Sequence, residues 1–367
     1  MRYSSINRPR RRKILTAIGV AALVLVLLIV AISIFSAPTR VRSARGRMRS
    51  MPFTADNFVP FADGAVYTTD DGKLYHISET GTLNWGFDNA VDTMKLTAGP
   101  SLLTCYGGNK LQIISKSGQL IASPTFEGEI VDVRSSASLV CASVHLTDNS
   151  TYLAVLSSGG ENLASLTLLS GQQLVNFGIS EGGAEVWMLS VEESARPVYQ
   201  VDIHSFSSGE HKLTASIPVE DEAVYAVELN RKGLFLTGTQ SLRTYNSTNQ
   251  LTEQQNIYGR QLIASAGTVN SCIHIFANQS RPYSALDVST GGGAPRTILL
   301  NTAAGCVLTK NNKIYAFTGN RMLVYSLQGK LQATYDLPHP VERVRQGYGR
   351  NSVYLIFQNT VTLMKLP

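Results

Sequence analysis

A unit of about 40 residues recurs along most of this chain, and its period limits the fold more than any other feature. Each unit contains short runs that alternate apolar and polar residues, separated by Gly, Asn, Asp and Ser. Such runs are typical of β-strands, and no long helical periodicity follows residue 50. The second strand of the unit sets the register at AVYTTD (65), LLTCYG (102), LVCASV (139), VWMLSV (186), LFLTGT (234), CIHIFA (272), IYAFTG (314) and VYLIFQ (353).

Eight such units predict an all-β fold, an eight-bladed β-propeller formed by residues 51–367 as one domain. A seven-bladed ring is the alternative, if the unit around Gly291–Gly293 is irregular. The eighth unit ends after its third strand, at Pro367. We therefore predict that RMRSMPFTA, just before the first unit, supplies the missing fourth strand. Closure of this kind protects strand edges and ties down both ends of the chain.

An uninterrupted apolar run precedes the repeats. It extends from Ile14 to Phe35 and contains only one glycine and two hydroxyl residues besides aliphatic and aromatic ones. A helix of that length spans about 33 Å, enough to cross a bilayer. A cleavable signal peptide is the alternative, but its apolar region is about 7–15 residues long and small residues follow it. The predicted segments are a basic cytoplasmic tail (1–13), a single transmembrane helix (14–35) and an Arg-rich juxtamembrane stalk (36–50).

The basic residues of the chain are concentrated around this apolar run. The first 50 residues hold 11 of the 32 Lys and Arg and no acidic residue, which leaves 21 basic against 26 acidic side chains in the rest. A compact basic block abuts the N-terminal end of the run, so we predict that the N-terminus is cytoplasmic and the propeller lies outside the cell membrane. The pattern favours membrane lipid as a partner and argues against nucleic acid. The predicted headgroup contacts are Arg10, Arg11, Arg12, Lys13, Arg40, Arg42 and Arg45.

Residues with catalytic or metal-binding chemistry are scattered. Four cysteines lie in apolar strand-like runs, which favours buried thiols over disulfides. His76 and His274 fall within predicted strands, where a structural role is expected. The carboxylates of VEDEA (219–223) predict a solvated loop. Because no catalytic, phosphate-binding or metal-binding motif is present, we expect no enzyme activity, cofactor or metal site.

The central channel is where propellers usually bind small ligands, through loops and side chains of the inner strands. The runs VDTMKL, IVDVRS, VYAVEL and VERVRQ are predicted inner strands. Their charged side chains have both signs, so they either contact a polar ligand or pair with one another. The candidate channel residues are Asp92, Lys95, Asp132, Arg134, Glu228, Arg343 and Arg345.

The first unit, VYTTDDGKLYHISETGTLNW, resembles the quinoprotein-type (PQQ-like) propeller repeat. The matching positions are Val66, Tyr67, Asp71, Gly72, Leu74, Tyr75, Thr80, Gly81 and Trp85. In quinone-dependent dehydrogenases the repeated Trp docks one blade on the next, and the cofactor site needs calcium ligands and a vicinal disulfide. This sequence has no adjacent Cys pair and no equivalent ligand set. It is therefore similar to non-catalytic relatives, such as an outer-membrane assembly lipoprotein, and to an uncharacterised family of single-pass bacterial membrane proteins with a propeller ectodomain.

These features predict a non-catalytic scaffold, anchored in the membrane, that binds envelope proteins or glycans. One alternative is an enzyme that acts on sugars or an envelope polymer through the central channel. Another is a ligand-sensing subunit that signals through a membrane partner, because a tail of about 13 residues has no room for an enzymatic domain.

Overall fold

The structure, a computed structural model, describes residues 41–88, 94–180, 182–192, 194, 196–207, 210–267, 272–291 and 294–367. The predicted tail and transmembrane segment lie outside these residues. Outside them also lie Arg10, Arg11, Arg12, Lys13, Arg40 and Asp92. In the part of the chain that is described, no helix has the length and apolar character that a bilayer crossing needs.

The described strands form eight antiparallel sheets, which are the blades of a propeller. The first elements are β1 (Val41–Ser43), a 3-10 turn (Arg45–Arg47) and β2 (Met48–Thr54). Blade 1 contains β3 (Phe58–Phe61), β4 (Gly64–Thr68), β5 (Leu74–Ser78) and β6 (Leu83–Phe87). Blade 2 contains β7 (Lys95–Ala98), β8 (Leu102–Gly107), β9 (Lys110–Ser115) and β10 (Leu120–Ala122). Blade 3 contains β11 (Glu129–Ser135), β12 (Leu139–His145), β13 (Thr151–Ser157) and β14 (Asn162–Thr167).

The second half of the ring repeats this plan. Blade 4 contains β15 (Gln172–Ile179), β16 (Glu185–Glu192), β17 (Val198–Ser205) and β18 (Lys212–Val219). Blade 5 contains β19 (Val224–Asn230), β20 (Gly233–Gly238), β21 (Ser241–Asn246) and β22 (Leu251–Asn256). Blade 6 contains β23 (Gln261–Gly267), β24 (Cys272–Ala277), β25 (Tyr283–Ser289) and β26 (Arg296–Ala304). Blade 7 contains β27 (Cys306–Lys310), β28 (Lys313–Thr318), β29 (Arg321–Ser326) and β30 (Leu331–Asp336). Blade 8 contains β31 (Arg343–Gln346), β32 (Ser352–Phe357), β33 (Thr360–Lys365) and β2.

The strands of a blade follow the chain from the propeller axis outward. First strands of neighbouring blades contact each other, as β3 does with β7 and β7 with β11, so they surround the axis. Second strands are buried on both faces, and all six residues of β20 are buried. This explains why they appear in the sequence as continuous apolar runs. Fourth strands are partly exposed, which allows polar residues to interrupt them.

Blade 8 is closed by the N-terminal strand, as the sequence predicts. β2 pairs antiparallel with β33, with Met48 opposite Met364. The eight-bladed ring is confirmed, and the unit around Gly291 is a regular four-stranded blade. In addition, β1 lies beside β30 and makes blade 7 five-stranded. Residues 41–50, predicted as stalk, thus contain β1, the 3-10 turn and the start of β2.

A turn between the third and fourth strands joins several blades to their predecessors. The turn glycine has a left-handed backbone, with φ of 79° at Gly118, which residues with a side chain rarely adopt. The indole of Trp85 in blade 1 packs on Gly118 of blade 2 and donates its Nε1 hydrogen to the carbonyl of Lys116 at 2.9 Å. Ala122 and Ile298 lie against the corresponding turns of blades 3 and 7. One position on the outer strand therefore makes this contact in several blades, although the residue type differs.

The junction of blades 8 and 1, here called the closing seam, is packed with aromatic rings. Phe53 on β2 stacks on Phe58 of β3 with ring centroids 4.7 Å apart, and it lies 5.3 Å from Tyr67 of β4. Tyr354 on β32 lies 5.3 Å from Phe58. Aromatic pairs at these distances stabilise beyond the area they bury. These contacts join β32, from the C-terminal part of the chain, to β2 and β3.

Candidate functional site

Among the described residues, first strands line two cavities in the central channel. The larger, about 730 Å³, is lined by β11, β15, β19 and β23 of blades 3 to 6, and its walls include Arg134, Glu228 and Ser265. The smaller, about 480 Å³, is lined by blades 1, 2 and 8 and includes Arg345 and Tyr348. The predicted inner strands are therefore the ones that surround the channel, since they contribute β7, β11, β19 and β31.

Asp132 and Arg134 pair with each other on β11. Arg134 Nη2 lies 2.9 Å from Asp132 Oδ2, and the guanidinium lies 5.8 Å from the centre of the Phe177 ring in blade 4. Tyr106 donates its hydroxyl hydrogen to Asp132 at 3.4 Å. Burial, followed by the charge of Asp132, raises the pKa of Tyr106 to about 12, so this phenol keeps its proton. The Asp132–Arg134 pair stabilises the channel wall and leaves little unpaired charge there.

Lys95, Arg343 and Arg345 also have neighbours in the ring. Lys95 Nζ lies 6.0 Å from the centre of the Tyr106 ring. Arg343 faces an exposed partner, with Nη2 3.6 Å from Asp56 Oδ1. Arg345 donates from Nη1 to the carbonyl of Phe58 at 2.7 Å and lies over the ring of the same residue. The structure thus assigns Arg345 to the closing seam.

Glu228 is the predicted channel residue with the most reactive surroundings. It extends from β19 of blade 5 toward Cys272 and His274 on β24 of blade 6. Cys272 donates from Sγ to Glu228 Oε2 at 2.6 Å, and His274 Nε2 lies 3.4 Å from the same oxygen. One ligating atom from each residue falls within 4.8 Å of the others. We call this group of three residues the polar seam.

Strand geometry explains why the polar seam forms. Cys272 and His274 are two residues apart, so their side chains extend from the same face of β24. In the register of blade 6, Ser265 on β23 lies opposite His274, and it too hydrogen-bonds to Glu228. Burial is the largest influence on Glu228 and raises its pKa, but interactions with His274, Cys272 and Ser265 outweigh it and leave the pKa below its ordinary value. The carboxylate is therefore held ionised beside a thiol and an imidazole.

The two histidines that the sequence predicts to be structural, His76 and His274, differ in the hydrogen bonds of their ring nitrogens. His76 lies 3.4 Å through Nε2 from the carbonyl of Phe61 and 3.0 Å through Nδ1 from Asn84, so its predicted structural role fits. Burial lowers the pKa of His76. His274 is only 1% exposed, and its Nε2 lies 3.4 Å from Glu228 Oε2 without the geometry of a hydrogen bond. The structural role predicted for His274 does not explain this atom.

Sequence patterns indicate only part of the polar seam. The sequence predicts Glu228 to be a channel residue, Cys272 to be a buried thiol and His274 to be structural. The Cys-x-His spacing in CIHIF places both side chains on one strand face, and this is the available signal. Their carboxylate partner lies 44 residues earlier, in another blade, so no local spacing connects it to them.

The structure also locates the cysteines, the VEDEA carboxylates and two of the predicted headgroup-contacting arginines. All four cysteines are buried and unbridged, as predicted. The VEDEA prediction is confirmed for Glu220 and Asp221, which are exposed between β18 and β19. It is wrong for Glu222, which is buried: its Oε1 lies 2.8 Å from Arg243 Nη2, and the backbone nitrogens of Gln240 and Ser241 donate to Oε2. Arg42 and Arg45, predicted to contact lipid headgroups, are exposed on β1 and on the 3-10 turn.

Outer strands expose a recurring apolar residue. In each of blades 1 to 6 the fourth strand carries a leucine that is more than a third exposed, and we call this set the rim row. Its members are Leu83, Leu120, Leu163, Leu213, Leu251 and Leu299. Because one such leucine occurs in each of six consecutive blades, the row follows the circumference of the ring.

Comparisons with known proteins identify a family by sequence and a shared fold by structure. A family model described as "Family of unknown function (DUF5711)" matches residues 50–366. No curated protein matches the sequence. BamB from Moraxella catarrhalis is similar in structure, with a TM-score of 0.56 at 11% identity, covering 87% of this chain and 99% of that one. The Dos1 propeller (TM-score 0.58, 10% identity) covers 87% and 94%, and Sqt1 from Saccharomyces cerevisiae (0.55, 9%) covers 86% and 97%. Identities this low show a shared fold alone.

Proposed function

We propose that this chain, which belongs to the DUF5711 family of unknown function, is a membrane-anchored scaffold that binds other envelope proteins outside the membrane. The anchor in this proposal is the apolar run from Ile14 to Phe35, with the basic block at its N-terminal side in the cytoplasm. The binding domain is the eight-bladed ring. The proposed function is non-catalytic.

The rim row is the observation that carries the proposal. An exposed leucine leaves apolar surface in contact with water, and burying it against a partner is favourable by about 25 cal/mol per Å². A single exposed leucine needs no explanation. Repetition at the outer strand of six consecutive blades is different, because it offers a partner an apolar contact on every one of these blades.

The outer strands also offer backbone groups to an extended peptide. Blade 7 already binds a segment in this way, since β1 lies beside β30 at the outer edge of the sheet. Among the described strands, no fifth strand pairs with the outer edge of blades 1 to 6. A partner strand that adds to such an edge gains main-chain hydrogen bonds, and its side chains gain contact with the leucine of that blade. The favoured partner is therefore a protein with an extended apolar segment.

Site-specific crosslinking in intact membranes tests the proposal. A photoreactive amino acid is placed at Leu120 or Leu213 in the full chain, and the protein that it captures is purified and titrated against the chain. We expect Leu120→Glu and Leu213→Glu to weaken binding at least about 10-fold, because each substitution places a charge in the apolar contact.

The matched control is Leu169→Glu, which makes the same change at an exposed leucine on the loop between β14 and β15. Binding by this variant should equal that of the unaltered chain. Crosslinks from the rim row to lipid or glycan alone contradict the proposal, and so does equal loss of binding in the control variant.

A further inference from the structure

We propose that the polar seam binds a transition-metal ion of the zinc class in the wall of the central channel, with Glu228, Cys272 and His274 as its ligands. This inference concerns a different part of the molecule from the rim row and does not depend on the scaffold function. Glu228 comes from blade 5 and the other two ligands from blade 6, so the ion would join two blades.

The three donor atoms are suited to one class of metal. A thiolate sulfur, an imidazole nitrogen and a carboxylate oxygen together match Zn²⁺ and similar transition-metal ions, whereas Ca²⁺ and Mg²⁺ prefer oxygen donors alone. Three protein ligands with a fourth position left to water are typical of zinc sites that react with or bind further ligands. The donor set thus excludes the hard cations and favours zinc.

The distances between the three ligand atoms are close to those of a tetrahedral metal site. In a tetrahedral site with bonds of about 2.0–2.3 Å, ligand atoms lie about 3.3–3.7 Å apart. His274 Nε2 is 3.4 Å from Glu228 Oε2, which already fits. The 2.6 Å between Cys272 Sγ and Glu228 Oε2 is a hydrogen bond. When the thiol gives its proton to solvent and coordinates the ion, that hydrogen bond ends and the two atoms separate by about 1 Å.

His274 supplies an observation independent of the cluster itself. Its Nε2 is buried, lacks a hydrogen-bond partner and lies beside Glu228. Buried polar atoms almost always have a partner, so an unpartnered one requires an explanation such as an ion. By contrast, both ring nitrogens of His76, which is also buried in a strand, form hydrogen bonds, whereas the 3.4 Å contact of His274 Nε2 with Glu228 Oε2 lacks hydrogen-bond geometry.

The channel provides access to the site. Glu228 and Ser265 line the 730 Å³ cavity, and the Glu228 side chain is 27% exposed. An ion can therefore reach the carboxylate through the channel while Cys272 and His274 hold it from the buried side. The fourth position faces the cavity, where a water or an anionic group of a ligand would bind.

Metal titration of the purified full chain tests the site. The chain is treated with a chelator, dialysed and titrated with Co²⁺ followed by absorption and with Zn²⁺ followed by calorimetry. We expect one ion per chain and a sulfur-to-cobalt charge-transfer band in the near ultraviolet. Cys272→Ser should abolish the band, and Glu228→Gln and His274→Asn should each weaken affinity at least about 10-fold, since loss of an outer-shell partner alone costs that much.

Two matched controls change similar residues elsewhere. Cys141→Ser removes another fully buried strand thiol, and His76→Asn removes another buried strand histidine, and both should bind the ion normally. Glu228→Gln still tests the site if the buried variants fail to fold. Glutamine has nearly the shape of glutamate, and the side chain at this position is partly exposed to the channel, so this variant should fold. Absence of saturable binding, a band that survives Cys272→Ser, or unchanged affinity in folded Glu228→Gln overturns the proposal.

Discussion

The closing seam and the polar seam are both junctions between neighbouring blades, but the first is filled by aromatic side chains and the second by polar, ionisable ones. At the closing seam, Phe53, Phe58 and Tyr354 fill the space between blades 8 and 1 with stacked and tilted rings. At the polar seam, the space between blades 5 and 6 holds a carboxylate, a thiol and an imidazole. Each has one buried polar atom without a hydrogen bond, Tyr354 Oη in the first and His274 Nε2 in the second.

The difference separates a structural junction from a candidate binding site. Blade 8 combines β2 with three strands from the C-terminal part of the chain, so the ring needs stability at this junction, and aromatic packing supplies it. Blades 5 and 6 are each built from consecutive strands, so the polar seam does not have to hold distant parts of the chain together and can contain groups that stabilise the fold poorly but bind a ligand well. The unpartnered Tyr354 hydroxyl lies among rings, whereas the unpartnered His274 nitrogen lies beside two other metal ligands.

The largest expected effect comes from breaking the closing seam. Phe53→Ala removes a buried ring that contacts Phe58, Tyr67 and Tyr354, and it should lower the free energy of unfolding by about 3–5 kcal/mol. Urea unfolding of the purified chain, followed by tryptophan fluorescence, measures the change. Leu299→Ala, at an exposed position of the rim row, should change it by no more than about 0.5 kcal/mol. A loss below 1 kcal/mol for Phe53→Ala contradicts the structural role of the seam.

A medium effect is expected where blade 1 docks on blade 2. In Gly118→Ala the new methyl group would lie 2.6 Å from the Trp85 ring, and the backbone has a φ of 79°. Overpacking and left-handed strain together should cost about 2–4 kcal/mol. Gly72→Ala has nearly the same φ, 77°, but nothing within 4 Å, so strain alone should cost about 1–2 kcal/mol. Equal losses of unfolding free energy in the two variants would show that the contact of Trp85 with Gly118 does not constrain this position.

The smallest change in stability is expected for Tyr354→Phe, and metal binding distinguishes this variant from His274→Asn. Tyr354→Phe removes a buried hydroxyl that has no hydrogen bond, so stability should stay the same or rise by up to about 1 kcal/mol, and metal binding should not change. His274→Asn removes the other unpartnered atom and should abolish tight metal binding. Thermal unfolding with and without Zn²⁺ measures both properties. A zinc-dependent rise in melting temperature that is lost in Tyr354→Phe contradicts the contrast between the seams.

The architecture is largely predictable from the sequence because its signal repeats. The eight second strands share a period and an apolar pattern, and the missing strand of the last unit indicates that RMRSMPFTA pairs with the C-terminal strand, as β2 does. Strand pairing of this kind depends on backbone register and alternation, which any suitable residues satisfy. The contact of β1 with blade 7 was not predicted, because three exposed residues carry no apolar pattern.

The polar seam is predictable only in part, because it depends on which side chains of two neighbouring blades pack against each other. The sequence places Glu228 on a predicted inner strand, but its contact with Cys272 and His274 arises from the packing of blade 5 on blade 6. Glu222 illustrates the same limit. Its neighbours in the sequence are acidic and indicate a solvated loop, whereas Arg243 and two backbone nitrogens, about 20 residues later, bind it in the interior.

The central claim, that the propeller lies outside the membrane, is tested most directly by cysteine labelling. All four native thiols are buried, so they give little background with a membrane-impermeant maleimide. Tyr258→Cys places a thiol at a position of the propeller that is 76% exposed, and Ser5→Cys places one in the basic tail. We predict that intact cells label Tyr258→Cys, and that Ser5→Cys is labelled only after permeabilisation. Labelling of Ser5→Cys in intact cells, with Tyr258→Cys protected until lysis, would contradict the proposed topology.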